Sequence, residues 1–512
     1  MSDKSTKGIW KVITASSLGT LIEWYDFYIF GSLAVVISTK FFPADNPTAA
    51  FLSTLATFAA GFVVRPFGAL FFGRLGDIIG RKYTFMVTLL LMGGATFLIG
   101  CIPSYESIGF VAPLLVLLLR LLQGLALGGE YGGAATYVAE HAPRGERGYW
   151  TSWIQTTATV GLFISLMVIL ATRASISAEA FDEWGWRVPF WVSILMVLVS
   201  YVIRKNMHES PVFAKAKAEG KTTTNPLKES FGNKYNLKFV LLALFGAAMG
   251  QGVVWYTGQF YAMSFLKTVM AVDTNQVDGL LGLALLFGTP FFVVFGALSD
   301  KVGRKFIMMT GMLLGILCYR PIYQKMYDTA DVSKKTEIVE KTTLKAEIKE
   351  AKEGKMDSIY TTNKEYTDGT KWVEVKTVHL ENGKAAIGDD GKVKADIKVT
   401  KTINDSDKWL LIALVFVQVI FVTMVYGPIA AFLVEMFPVK IRYTSMSLPY
   451  HVGNGIFGGL LPAISTYLVT NAKDNGDPQF YLEGLWYPII IAAISFVIGM
   501  VYIKAKNNVS HD

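Results

Sequence analysis

The stretch Glu23-Trp24-Tyr25-Asp26-Phe27 sets two carboxylates three residues apart inside a long apolar run. At that spacing both project from one face of a helix. A charge in hydrocarbon costs about 2.5–3.5 kcal/mol on insertion scales, so an ionisable side chain there points to chemistry or to a fixed partner. Two neighbouring carboxylates in a poorly solvated site favour holding a proton, which is how a proton-carrying site is built. Arg65, just before Pro66, and Arg120, followed one turn later by Gln123, sit in other apolar runs. Arginine stays charged and presents a planar fork that suits a carboxylate. Two readings stay open. These groups form static ion pairs, or Glu23 or Asp26 takes a proton while Arg65, Arg120 and Gln123 attract an anionic substrate. Softer polar candidates for the wall of the same cavity are Gln251, Tyr256, Gln259, Tyr426, His451 and Asn454; a lone histidine is more often structural, though one in a membrane helix can relay protons.

A second constellation lies in the polar links. Gly73-Arg74-Leu75-Gly76-Asp77-Ile78-Ile79-Gly80-Arg81-Lys82 returns as Gly296-Ala297-Leu298-Ser299-Asp300-Lys301-Val302-Gly303-Arg304-Lys305, with Gly, Asp, Gly, Arg and Lys at identical intervals. Glu140-x-x-Pro143-x-x-x-Arg147 likewise returns as Glu435-x-x-Pro438-x-x-x-Arg442. Cations in such links orient a membrane protein, but that bias needs no carboxylate. The paired signs instead suggest charge locks on the cytoplasmic side that break and reform as two halves rock. Asp77 is expected to face Arg81 and Arg147, with Glu140 beside them. Asp300, Arg304, Glu435 and Arg442 are expected to repeat the lock in the other half.

Long apolar helices must position these groups. The chain has 512 residues, 52% hydrophobic and only 17% charged, where a soluble domain carries roughly a quarter charged. Its mean hydropathy is +0.40. Runs near the ~20 residues that cross a bilayer recur along it. They are continuous, without the alternation of a membrane barrel, so helices span. Spans are predicted near 10–40, 51–73, 83–102, 113–139, 149–172, 188–204, 238–266, 279–299, 306–323, 408–434, 445–470 and 485–505. The fold class is therefore all-α and polytopic, with twelve transmembrane helices in two pseudo-symmetric six-helix bundles. The domains read as a first bundle (1–204), a basic linker (205–237), a second bundle (238–323 and 408–505) and a tail (506–512). Links at 74–82, 140–148, 300–305 and 435–443 carry Arg or Lys clusters, whereas 41–50, 103–112 and 474–484 carry none. Both termini are thus expected in the cytoplasm. Gly124, Gly128, Gly129, Gly132 and Gly133, like Gly455 and Gly459, have the spacing of closely packed membrane helices.

The second word follows the first much later in the second half than in the first, so residues are inserted between them. The polar stretch 324–407 is that insert, on the outer face. It opens with a charged stretch, Lys334 to Lys352, that reads as helical. Strand-like alternation follows at Trp372-Val373-Glu374-Val375-Lys376, with turn signals at Asn382-Gly383 and Asp390-Gly391. A small β-rich domain and a disordered loop are both compatible with this composition. The net charge of +8 is concentrated in the links, which argues against nucleic acid. No phosphate loop, zinc spacing or nucleophile elbow occurs, so the chain reads as a non-enzyme without a metal or cofactor. Cys101 and Cys318 read as packing residues, and no cleavable signal peptide is expected ahead of the first helix.

The paired G-x3-D-x2-G-R-K words resemble the major facilitator superfamily. More narrowly, the chain resembles its metabolite:proton symporter family. The resemblance rests on Glu23 to Phe27, Arg65-Pro66-Phe67-Gly68, Arg120 to Gly124 with Gly128-Gly129-Glu130, Gly185 to Phe190, and Glu209-Ser210-Pro211-Val212-Phe213. In the second half it rests on Asp300 to Lys305, Glu435 to Arg442 and Gly458-Gly459. It implies a central cavity opened alternately to each side, and proton-coupled uptake. Family substrates include α-ketoglutarate, citrate, shikimate, proline and glycine betaine. The expectation is a monomeric, multi-pass carrier in a bacterial inner membrane, with protons, a small carboxylate-bearing metabolite and the lipid bilayer as partners. A proton/osmolyte symporter is the near alternative, and a transporter-like sensor reading a ligand through the insert is the more distant one.

Overall fold

The computed structural model describes residues 3–43, 47–350, 356–381, 384–387, 393 and 395–504. Apolar length turns into thirteen long helical elements: α1 (Asp3–Ser32), α2 (Pro47–Val63), α3 (Arg65–Ile78), α4 (Arg81–Ile99), α5 (Val111–His141), α6 (Arg147–Ser175), α7 (Gly185–Lys205), α8 (Lys234–Val269), α9 (Thr274–Val302), α10 (Arg304–Ala330), α11 (Asp405–Met436), α12 (Val439–Asp474) and α13 (Phe480–Tyr502). Among the described residues ten of these are long and apolar enough to cross a membrane. Helix α1 with its continuation Ala34–Phe41, bent by 68°, makes an eleventh. The remaining predicted span falls on α2 and α3. It is split at Val64, next to Pro66 in the first turn of α3, where a missing N–H is tolerated.

Local chemistry starts the helices where the sequence offers caps. The Asp273 carboxylate accepts the N–H groups of Asn275 and Gln276, each at 3.1 Å, and begins α9. The Asn404 side chain accepts the Asp407 N–H at 2.9 Å and begins α11. Such caps satisfy amides that a first turn leaves orphaned. The second glycine of each repeated word, Gly80 and Gly303, has φ of +142° and +105°, a backbone state that other residues enter at a cost. That turn ends one helix and immediately begins the next.

The halves of the chain share a core. Tyr131, Trp150 and Ile154 pack in one apolar cluster with Val253, Phe292 and Val425. Helix α3 lies along α12, and α6 along α9, so each repeated word packs on the opposite half.

The insert is a five-stranded antiparallel sheet of β1 (Thr343–Glu350), β2 (Met356–Glu365), β3 (Lys371–Glu381), β4 (Lys384–Ala385) and β5 (Ala395–Thr402). β1 pairs with β2 from Thr343↔Asn363 to Glu350↔Met356, and β5 joins the far side of β3. The charged stretch expected as a helix instead forms short helical turns at Val332–Lys334 and Val339–Lys341 and then β1. Its Leu344, Ala346 and Ile348 alternate with polar residues, and that period fits a pleated strand. The turn signals Asn382-Gly383 and Asp390-Gly391 lie outside the described residues, as does the tail 506–512.

Candidate functional site

Asp26 and Glu23 leave the same face of α1 and reach different arginines. Arg120 on α5 donates to Asp26 at 2.7 Å and to the Gln123 side-chain oxygen at 2.6 Å, while Gln123 donates to Asp26 at 2.9 Å and to Thr96 on α4 at 2.8 Å. The Arg120 guanidinium also lies 4.2 Å over the Phe30 ring. All three members of this ring are buried. Breaking such a buried pair by removing one member typically costs about 3–5 kcal/mol, because the survivor stays charged and uncompensated. Glu23 is held more lightly. Among the described residues, its hydrogen bond comes from Arg65 at 3.2 Å. Arg65 lies 4.2 Å from the Phe62 ring, and its Nε has no hydrogen-bond partner.

Two adjoining cavities meet at the Glu23–Arg65 pair. One is lined from the first half by Glu23, Asp26, Arg65, Arg120 and Gln123 among others. The other, the larger, has a wall from each half and brings Trp24 and Phe62 opposite Trp255, Tyr256, Tyr426, Tyr450, His451 and Asn454. Tyr450 stacks on Tyr131 with ring centres 3.7 Å apart and shares a 2.7 Å hydroxyl contact with Tyr426. Asn454 and Gln251 exchange both amide hydrogen bonds. His451 is buried with its Nε2 unpartnered. Gln259 is buried too, but lines neither cavity.

The loop words close one end of the molecule, and here the expected partners are corrected. Asp77 does pair with Arg81 at 3.0 Å. Its oxygens then accept the N–H groups of Tyr443 (3.3 Å) and Thr444 (2.8 Å), at the start of the helix that Arg442 opens, not one beginning at Arg147. Asp300 does the converse. It accepts Gly148 and Tyr149 N–H, each at 2.8 Å, at the helix that Arg147 opens, and pairs with Arg304 at 2.8 Å. The exchange follows from packing, since each word lies against the other half. Gly73 and Gly296 permit it, because a Cβ at either would collide with Thr444 or Ser152. Glu140 crosses the halves as well, meeting Arg442 at 3.0 Å and Arg81 at 3.5 Å. Glu435 stays within its half as a two-pronged partner of Arg304, both contacts 2.7 Å. Arg147 donates from Nε to the Ala139 carbonyl at 3.1 Å.

The profile of the sugar (and other) transporter family matches residues 11–339. The chain belongs to that family. Curated relatives include the alpha-ketoglutarate permease of Escherichia coli K12, 28% identical over 99% of this chain and 96% of its own. The citrate-proton symporter of Salmonella typhi is 28% identical over 93% and 92%. The proline/betaine transporter of Salmonella typhimurium is 27% identical over 96% and 82%. Among solved structures, the proton:xylose symporter XylE superposes with a TM-score of 0.67 at 16% identity, covering 99% of each chain. That likeness establishes the major facilitator fold. The protein is a multi-pass membrane transporter of that superfamily, not an enzyme.

The transporter also buries an ion pair that sequence reasoning passed over. Glu130 on α5, fully buried, receives Arg204 at 2.7 Å and the Thr88 hydroxyl at 2.6 Å. Arg204 further donates to the carbonyls of Ala15 and Phe85. The signal was available, since Glu130 is a carboxylate in an apolar run like Glu23. Arg204 gave less of a signal, because it stands at the very end of a span beside the basic linker. Of the aromatic wall, Tyr256 and Tyr426 were expected, but Trp24, Trp255 and Tyr450 had no such signal, because rings in a membrane span read as ordinary packing.

Proposed function

We propose that this transporter is a proton-coupled symporter that imports a small carboxylate-bearing metabolite by alternating access. One observation carries the reading: Arg65 is shared between a lightly held Glu23 and an open cavity. A substrate carboxylate that takes the Arg65 fork strips Glu23 of its counter-charge. A buried carboxylate without a counter-charge binds a proton. Substrate and proton then favour each other's binding, and that reciprocity is the coupling a symporter needs. Asp26, Arg120 and Gln123 hold one another too fully to be the first responders and keep α1, α4 and α5 in register. His451, with its free Nε2, supplies a further polar contact across the cavity, beside Tyr256, Tyr426 and Asn454. Asp77, Arg81, Glu140, Arg147, Asp300, Arg304, Glu435 and Arg442 form the cytoplasmic gate. Both termini lie in the cytoplasm, with residues 1–204 as one rocking bundle, 238–323 and 408–505 as the other, and the protein sited in a bacterial inner membrane.

The cavity favours the osmolyte reading over a di- or tricarboxylate. Its lining holds Glu23 opposite Arg65 and no cation from the second half. A second substrate carboxylate would lose its water without finding a partner. The aromatic faces of Trp24, Trp255, Tyr256, Tyr426 and Tyr450 suit a substituted ammonium group. The test is uptake by proteoliposomes under an inward proton gradient, with glycine betaine, proline, α-ketoglutarate and citrate as substrates. Accumulation of a zwitterion is expected. Accumulation of only the dicarboxylate or tricarboxylate would overturn the osmolyte reading alone, and binding without gradient-driven accumulation of any of them would overturn symport.

A further inference from the structure

The insert departs from the repeat that builds the rest of the chain, and its attachment points lie at the start of α9, the end of α10 and the start of α11. Strand β5 does not stop at the sheet. The Lys401 N–H donates to the Ala271 carbonyl at 2.7 Å, and the Lys401 carbonyl accepts the Asp273 N–H at 2.8 Å. Residues 271–273 thereby become a short parallel partner of β5. One turn into α9, the Gln276 side chain both accepts from Ile403 N–H at 2.8 Å and donates to its carbonyl at 2.9 Å. The Lys401 ammonium reaches the Ala330 carbonyl at the end of α10 at 3.0 Å. On the other side of the sheet's base, Lys335 sits 2.6 Å from both Asp368 and Asp407, tying the insert to the first turn of α11.

Two features show that the linkage at 271–273 constrains the backbone. Ala271 has φ of +55° and, among the described residues, is the one non-glycine residue with positive φ. A side-chain-bearing residue stays in that conformation only where its surroundings enforce it, and here the Val272 N–H bonds back to the Leu266 carbonyl at 2.9 Å across the helix end while Lys401 holds the Ala271 carbonyl from the insert. Immediately upstream lies α8, in which α-helical turns alternate with π turns at Leu244–Ala248, Thr257–Tyr261 and Phe265–Val269. Wide turns of that kind interrupt the regular ladder and concentrate at functional sites. The segment between them lies against the first half: Trp255 meets Trp24 with ring centres 5.1 Å apart, and Phe260 meets Phe27 at 5.4 Å. So α8 is a jointed helix. Its middle walls the cavity, and its far end is pinned to the insert.

We propose that the insert is a brace that regulates the cavity, holding the outer end of α8 through residues 271–273 so that the jointed segment stays pressed on α1. The sheet sets how readily α8 swings away from Trp24 and Phe27, and hence how readily the cavity opens on the insert side. This goes beyond the symport reading and does not depend on the substrate.

The test is hydrogen exchange on the full-length protein in lipid nanodiscs, comparing wild type with Lys401→Pro and Lys401→Met. Proline removes the N–H that Ala271 accepts. The sheet loses nothing, because the N–H and carbonyl of Lys401 both face away from β3. Methionine removes only the ammonium and serves as control. Amides of Ala262–Asp273 are expected to exchange about three- to tenfold faster in the proline variant, while those of β1 and β3 stay protected. Should proline at 401 unfold the sheet, Gln276→Leu cuts the same linkage from the α9 side without touching a strand. Unchanged exchange over 262–273 in whichever variant keeps β1 and β3 protected would overturn the brace. Faster exchange there, with the methionine control unchanged, supports it.

Discussion

Asp77 and Thr444 stand 367 residues apart in the chain, yet the carboxylate of the first accepts the backbone N–H of the second at 2.8 Å. Asp300 and Tyr149 make the same contact at the same distance with the halves exchanged. A carboxylate at a helix start satisfies orphan amides and meets the positive end of the helix dipole. Each latch here ties one half to the other. Asp77→Ala is therefore expected to shift the transporter toward the state open on this side. A cysteine placed at the buried Ser445 reports it. Thiol labelling should rise at least about tenfold for a loss of ~1.4 kcal/mol, and rise further with Asp300→Ala added. Labelling no faster than in the parent would show that the latch does not hold the closed state.

The Glu23–Arg65 pair predicts a separation of two activities. Glu23→Gln should abolish gradient-driven accumulation in proteoliposomes while leaving substrate exchange running, because the amide keeps the shape and loses the proton. Arg65→Lys retains charge but not the fork, so KM should rise with a modest effect on the maximal rate. A charge-assisted hydrogen bond is worth about 1.5–3 kcal/mol, which is roughly ten- to a hundredfold in KM. Asp26→Asn should damage exchange and accumulation together, in keeping with a positioning role. Normal exchange with lost accumulation in Asp26→Asn would move the proton to Asp26.

Much of this architecture was legible before any coordinates. Apolar length announced the spans, and a polar word recurring at fixed intervals announced the twofold body and its extra segment. Ionisable residues in apolar runs marked Glu23, Asp26, Arg65 and Arg120, which the fold does bring together. What stayed hidden was long-range. A local word such as Gly73 to Lys82 cannot say which half its Asp reaches, so Asp77 was matched to Arg147 when it meets Tyr443 and Thr444. Charge density in Lys334 to Lys352 masked the alternation of Leu344, Ala346 and Ile348 that makes β1. Trp255 and Tyr450 carried no mark, because a ring facing a cavity and a ring facing a neighbouring helix look alike in sequence.

The insert carries its own pH dependence. His379 on β3 lies between Asp357 at 2.9 Å and Asp396 at 3.2 Å. The hydrogen bond to Asp357, supported by that to Asp396, holds its imidazole above the ordinary range. A raised folded-state pKa means that the unfolded insert gives up this proton first as pH rises. The stabilisation is thus complete below the ordinary imidazole value and disappears as pH climbs through the folded value. Hydrogen exchange of β2, β3 and β5 should accelerate from mildly acidic to mildly alkaline pH, beyond the intrinsic rate change. His379→Gln should remove that excess. An excess that persists in the variant would assign it to another group.

The glycine stripe of α5 makes the last prediction, because part of it faces the other half. Gly124 and Gly128 pack against α2 and α3, but a Cβ on Gly133 would run into the Tyr443 hydroxyl, one on Gly76 into its ring, and one on Gly132 into the Ser447 side chain. Tyr443 is fully buried in that socket and donates its hydroxyl to the Gly129 carbonyl at 2.5 Å. Closure at the latched end thus requires a large ring to enter a hole with no side chains around it. Gly133→Val fills the hole, and since packed interiors do not yield smoothly, the halves should fail to close. The cysteine at position 445 should label faster, and accumulation should fall. Tyr443→Ala in the Gly133→Val background removes the clash with the ring hydroxyl and should restore part of the closed population, a coupling of opposite sign to simple additivity. If the double variant were merely the sum of two defects, Gly133 would be acting within its own helix bundle and not as the socket for Tyr443.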